Sequence, residues 1–391
     1  MNESAVLVPK TLSHISEVGA REWDALLAHE PAVASPFVRH AWLDALERSG
    51  CASARRGWRP RHLALFRGPE LVAAAPAWLT DGEGDFARDW PWAAAAQRAG
   101  LPWTPKLVLG VPFTPATGRR LLVRADEDRE EARRALASAA LELARREGAP
   151  TVQALFPRED EAQLLAEAGF AARVDFQYHW VNPGYGSYDD FLARFPSKRR
   201  NQLRRERAAP AAQGIAIRTV RGDELARDPA GWGRTCFELH RATTDRMEWG
   251  MRYVNRAFYE AAIAGLPDAV EVVEARREGR VVAMAFNVAS PERLYGRYWG
   301  CAEDHPFLHF NVCLYHSIEE CIRRGTRVFE GGAGGEHKLS RGFEPVLTHS
   351  AHRALDPRLD RALRAHIARE RDEREEALRR FREASPVFKV G

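Results

Sequence analysis

Across 391 residues, 45% hydrophobic and 29% charged with a net charge of only +4, the chain has the length for about two or three domains and the apolar content for a large core. Fifty-eight basic side chains against 54 acidic ones do not by themselves indicate a nucleic-acid-binding protein. The five cysteines (Cys51, Cys236, Cys301, Cys313, Cys321) lack CxxC spacing, which favours a reducing compartment over a disulfide scaffold; no apolar run nears the ~20 residues of a membrane span, and the N-terminal MNESAVLVPK lacks a basic-then-apolar leader, so a cytoplasmic protein is expected.

In chain order, PFVRHAWLDALERSG (36–50) has apolar residues near helical spacing and predicts a helix. RHLALFRGPELVAAAPAWLT (61–80) is two apolar runs split by Arg67-Gly68-Pro69-Glu70, a hairpin signal. KLVLGVPF reads as a strand, and EEARRALASAALELARREG (130–148) as an amphipathic helix stopped by Gly148. TVQALFP, EAQLLAEAG and ARVDFQYHWVN follow as strand, helix and strand. SKRRNQLRRER (197–207) reads as a basic helix with Phe191, Phe195 and Leu203 on its apolar side. Residues 230–246 predict a helix, 269–289 a hairpin turning at Arg277-Glu278-Gly279, and 293–301 a strand. A helix over 310–325, a strand over 326–330 and a strand near THSAHRAL close the second half. The stretch 356–386 carries Leu359, Leu363 and Ile367 at helical spacing and then mixed charge, so it reads as a helix laid on the body.

The two halves repeat one order: helix, hairpin, strand, helix, strand, helix, strand. Such repetition predicts a duplicated α/β domain. One slot differs between the copies. The early copy runs Arg145-Arg146-Glu147-Gly148, a strand, an ordinary helix and Gly169-Phe170. The late copy runs Arg323-Arg324-Gly325, a strand, then EGGAGGEHKLSRGF ending at Gly342-Phe343. Chemistry loaded into one copy of a repeated scaffold marks the second half as the active one.

In that slot, Gly331, Gly332, Gly334 and Gly335 allow sharp turns and close approach of a ligand. A helix starting near Glu336 would offer free N–H groups to an anion. Glu330 or His337 is the candidate base, with Glu336 beside them, and Lys338 and Arg341 are candidates for holding a carboxylate or phosphate. On strand 293–301, Arg297 and Trp299 share a face, and the next loop supplies Asp304, His305 and His309. The His305/His309 spacing does not make a metal site, because Pro306 interrupts it and no third ligand follows. In the first half, Asp89, Trp90, Trp92 and Thr114 sit beside prolines and glycines and are candidates for the wall of a cleft. The chain has only five lysines, and three of them (Lys106, Lys198, Lys338) fall in its most distinctive segments, where a compact ammonium rather than a planar fork is wanted.

The order hairpin, strand, helix, strand, helix ending Gly-Phe, strand resembles the GNAT acyltransferase fold. Two such domains in tandem resemble the Fem-type peptidyltransferases. The set SPFVRHAWLDALERSG, WRPRHLALF, VPFTPATGRRLLV, FPSKRRNQLRRER, LYGRYWGCAEDHPFLHF and FEGGAGGEHKLSRGFEPV, spanning about residues 35–355, is similar to a bacterial family of predicted Fem-like N-acyltransferases. The resemblance implies an α/β protein of two tandem GNAT-like domains, each a mixed central sheet flanked by helices. The boundaries expected are 1–182 for a supporting domain, 183–355 for the active one and 356–391 for a charged C-terminal helix. It also implies amide formation by transfer of an acyl or aminoacyl group to an amine on a small molecule or peptide, with no metal and no tightly bound cofactor. Lys198, Arg199, Arg200 and Arg204 would then meet the phosphates of the donor, either aminoacyl-tRNA or acyl-coenzyme A. Acetyl-coenzyme A enzymes of the superfamily place a glycine-rich pyrophosphate loop after the strand matching 293–301. This chain has AEDHPFLHF there, which favours aminoacyl-tRNA. A non-catalytic module retaining the fold is the alternative from another class.

Overall fold

The structure is a computed structural model that describes residues 6–28, 30, 35–82, 86–248, 251–384 and 388. The chain forms two compact units, Met1–Phe176 with Leu347–Ala377 and Gln177–Val346 with Leu378–Gly391. Among the described residues no helix is long and apolar enough to cross a membrane.

The first unit begins with an antiparallel set in which His62–Arg67 pairs with Leu7–Leu12 and with Glu70–Ala75. The predicted hairpin turns at Gly68, whose φ of 61° only glycine adopts cheaply. A second set runs Trp58–Pro60, Ala77–Thr80, Lys106–Leu109 and Thr151–Leu155. The last two strands are parallel, so a crossover must join them, and the helix Arg129–Arg146 makes it. Asp128 caps that helix by accepting from the Glu130 and Glu131 N–H groups. Leu136, Ala140 and Leu143 form its buried stripe, packed on Leu107, Leu109, Val152 and Ala154. The C-terminal helix Pro357–Ala384 lays Leu359, Leu363 and Ile367 on Trp92 and Trp103, as its apolar spacing predicts.

In the second unit Ile215–Arg221, Val270–Arg277, Arg280–Ala289 and Arg293–Cys301 form an antiparallel meander. Arg293–Cys301 then runs parallel to Val328–Glu330 through a helical segment over 308–324. That segment contains a π turn at Asn311–Tyr315, the wide geometry that often marks a functional site. It stops at Gly325 with φ 70°. Each half sends its closing strand out of its own sheet. Ser350–Ala354 pairs with Thr151–Leu155 in the first unit, and His179–Val181 pairs with Val328–Glu330 in the second.

Three of the first-half candidates are core residues. Asp89 is fully buried and accepts from Lys106 Nζ at 2.8 Å, Trp103 Nε1 at 2.9 Å and Gln153 Nε2 at 2.8 Å. Burial pushes its carboxyl up, but the Lys106 charge and these donors outweigh that and hold it below the ordinary carboxylate range. Trp92 packs edge-on to Trp103, and Thr114 is buried and donates to the Pro112 carbonyl at 2.9 Å. Asp89, Trp92 and Thr114 therefore present no surface to a ligand, whereas Trp90 is 53% exposed. The reason is local: Lys106 lies on a central strand and can only be buried with a counter-charge beside it. Asp89→Ala should lower the unfolding free energy by about 3–5 kcal/mol, because it strands a buried ammonium. Trp90→Ala should stay within about 0.5 kcal/mol in the same urea titration.

Candidate active site at the glycine loop

The strand Val328–Glu330 runs straight into the glycine loop. Gly332, Gly334 and Gly335 have φ of 83°, 75° and 91°, a region in which any Cβ is strained. A Cβ on Gly331 would lie 2.9 Å from the Phe343 ring. The residues after the loop form a 3₁₀ turn, Glu336–Arg341, and not the α-helix expected there. Six residues separate two left-handed glycines, Gly335 and Gly342. Gly342 is itself forced, since a Cβ there would meet the Phe191 ring at 2.7 Å.

Lys338 organises this loop. Its side chain is buried and turns back to donate to the Gly332 carbonyl at 2.7 Å and the Gly334 carbonyl at 2.8 Å. Burial draws its pKa down to about 8. With those carbonyls turned onto Lys338, the N–H groups of Gly332, Ala333, Gly334 and Gly335 donate no backbone hydrogen bond among the described residues.

His337 stands exposed next to that pin. Its ring centroid is 5.5 Å from Phe310 and 6.3 Å from His309, which lies 5.1 Å from Trp299. Three of the predicted residues, Trp299, His309 and His337, thus form one row of rings. Desolvation of the ring, and then the Lys338 and Arg341 charges, hold His337 below the ordinary histidine value, so it is neutral at pH 7.

Glu330 is placed differently. It is 3% exposed and accepts from Arg293 Nη1 at 2.8 Å, with His179 Nε2 at 3.8 Å. Burial holds His179 low, so that ring stays neutral beside the ion pair. Arg297 is the extra residue of a β-bulge, because Tyr298 pairs with Phe286 and Gly296 with Asn287.

The remaining candidates are dispersed in role. Arg341 is buried and engaged with Glu206 at 3.0 Å and Tyr315 Oη at 2.8 Å. Asp304 is highly exposed, 3.8 Å from Arg246, and His305 lies 3.4 Å from Glu303. Glu336 opens the 3₁₀ turn, and its side chain lies outside the described residues. On the basic helix Ser197–Ala212, Arg199 Nε donates to the Ser340 carbonyl at 2.6 Å, so this helix abuts the 336–341 turn. Arg200 reaches Ser197 Oγ at 3.4 Å, Arg204 pairs with exposed Asp189 at 3.0 Å, and Lys198 is exposed with no ion pair among the described residues. Arg293, His179 and Tyr315 carry no motif, and strand register and the π turn bring them here; Glu206 arrives on the basic helix.

Lys338→Met should cost about 1–3 kcal/mol, because two partly buried carbonyls lose their donor. It should also change the pH dependence of stability. Between pH 8 and 10.5 the unfolded chain holds a lysine proton that the folded chain has released, so wild-type stability rises with pH across that window. Urea titrations at several pH values should show that rise reduced in Lys338→Met.

The family model for FemAB-like proteins, described as peptidoglycan biosynthesis/recognition, matches residues 14–389. No curated protein sequence matches the chain. Among solved structures, FemX is 14% identical with a TM-score of 0.54, covering 89% of this chain and 98% of its own. L-PGS from Bacillus licheniformis is 11% identical with a TM-score of 0.52, covering 90% and 97%. A conserved protein of unknown function from Bacteroides thetaiotaomicron VPI-5482 is 10% identical with a TM-score of 0.50, covering 89% and 100%. At such identities the likeness is one of fold. Matched by the family model over nearly its whole length, the chain belongs to the FemAB-like family.

Proposed function

We propose that the second unit forms an amide by transferring an aminoacyl group from aminoacyl-tRNA to the amine of a peptide or small molecule, with acyl-coenzyme A as the competing donor. One observation carries this reading. Lys338 pins a loop whose carbonyls turn inward, and a neutral, exposed imidazole sits on the adjacent residue.

The acceptor amine attacks the donor's carbonyl carbon while His337 takes its proton. The oxygen of the tetrahedral intermediate meets the loop N–H groups, fixed in advance by the strained glycines. The intermediate then expels the donor's hydroxyl oxygen, which recovers the proton from His337. No acyl-enzyme is required. Burial pushes the Cys321 thiol up to about 12 and raises Cys313 as well, which leaves neither poised as a nucleophile. Glu330, enclosed with Arg293, serves to hold the end of the strand that carries the loop. Lys198, Arg199 and Arg200, at the start of the basic helix beside the turn, suit donor phosphates. Charge and geometry here favour a long polyanion over a single pyrophosphate.

His337→Ala should lower transfer of radiolabelled aminoacyl groups from charged tRNA to a lysine-containing peptide by about 10²–10⁴-fold, with an unchanged circular dichroism spectrum. In the wild type the acid limb of kcat/KM should lie below pH 6.5, since His337 protonates only below its ordinary value. Full turnover in His337→Ala would sink the assignment of the base. Filter binding should show charged tRNA retained, with retention falling steeply with salt and weakened in Lys198→Ala/Arg200→Ala. Retention of coenzyme A alone would transfer the reading to the competing donor.

A further inference from the structure

The polar centre beneath the catalytic turn has no part in the steps above, yet it is a densely bonded buried cluster of the second unit. Glu206, on the basic helix, is 3% exposed. One carboxylate oxygen accepts from Arg341 Nη2 at 3.0 Å and from the Tyr315 hydroxyl. The other accepts from Gln202 Nε2 at 2.9 Å. Its main-chain carbonyl accepts from Asn311 Nδ2 at 2.8 Å. Arg341 Nε in turn donates to Tyr315 Oη at 2.8 Å. The three side chains come from three elements: the basic helix, the π turn and the catalytic turn.

This cluster reaches His337 twice. Arg341 Nη1 donates to the His337 carbonyl at 3.0 Å, which fixes the backbone of that residue. The Arg341 guanidinium also lies 3.5 Å from the Phe310 ring centroid, and Phe310 is the ring against which the imidazole packs. The π turn supplies the geometry, since it is the segment that brings Asn311 and Tyr315 both to Glu206.

We infer that Glu206, Tyr315 and Arg341 are positioning residues that set the placement of the His337 imidazole by clamping its backbone and the ring beneath it. This rests on the reading of His337 as the base. The truncation of one partner leaves the others with a buried hydrogen bond unmade. The clamp also ties the basic helix to the catalytic turn, with Arg199 on Ser340 as a second tie. The titratable and charged groups around the imidazole are His309 from the 308–324 helix, Lys338 and Arg341 from its own turn, and Arg199 from the basic helix.

The test needs no substrate. In ¹³C-histidine-labelled protein, the His337 ring resonance is assigned by its loss in His337→Ala and titrated across about pH 4–8. Arg341→Met should raise the titration midpoint, because it removes a positive charge. Glu206→Gln should lower it, because the Arg341 charge loses its counter-charge. Tyr315→Phe changes no charge at pH 7, yet should move or broaden the resonance; it is the variant to use should the other two fail to fold. An unmoved resonance and midpoint in every folded variant would overturn the inference. Failure of the base itself reads out separately, as retained turnover in His337→Ala, and leaves the titration result standing.

Discussion

The geometry of the second unit's loop depends on one ammonium. Lys338 is taken out of water, which draws its pKa down from 10.5 to about 8. In return it donates to two partly buried carbonyls. Those carbonyls can only reach it if the backbone at Gly332, Gly334 and Gly335 turns left-handed. The glycines and the lysine are therefore one device: without the lysine the strained turns have no purpose, and without the glycines the lysine has no partners. A guanidinium would not replace it. Its planar fork suits a carboxylate or a stacked ring, and Arg341 meets both, with Glu206 at 3.0 Å and Phe310 beneath its plane.

Much of this was legible in the chain because it depends on local rules. The helix Arg129–Arg146 ends before a left-handed Gly148, a stop visible as a letter. The hairpins and the strand Arg293–Cys301 follow from apolar runs and glycine turns. Trp299, His309 and His337 stood in the two segments the sequence singled out, and the fold brings their rings into one row. What was not legible depends on register and packing. A π turn and a β-bulge each insert one residue's worth of backbone, and no residue type announces either at Asn311–Tyr315 or Arg297. Arg293 finds Glu330 because Tyr295 aligns with Glu330 across a parallel ladder. The exchange of closing strands, Ser350–Ala354 to one unit and His179–Val181 to the other, leaves the apolar pattern of each strand unchanged, so periodicity is blind to it.

Asp89 shows why polar residues beside tryptophans and prolines mislead. The same pattern that suggests a cleft wall also describes a buried charge that needs company. The difference is the lysine on a neighbouring strand, Lys106, which cannot be buried alone. Two of the chain's five lysines thus solve a burial problem, one with a carboxylate and one with main-chain carbonyls. Rarity marked them correctly as special. It did not say whether the specialty was stability or chemistry.

The twin slots of the repeat separate scaffold from function more sharply than either alone. Gly169 and Gly342 share left-handed backbone, with φ of 91° and 87°, and the following Phe170 and Phe343 are both buried. The Gly-Phe stop is therefore a demand of the fold, met identically in both copies. Between strand and stop, the first copy spends nine residues on a capped helix, Glu159–Glu167, with no strained turn inside it. The second replaces that helix with a strained loop, a buried lysine and a six-residue 3₁₀ turn. A helix in the late slot would satisfy its own backbone beyond its first turn. Giving up those internal hydrogen bonds is destabilising, and Lys338 and the Glu206 centre restore part of what is lost. The backbone groups left over are the ones that can act on a substrate.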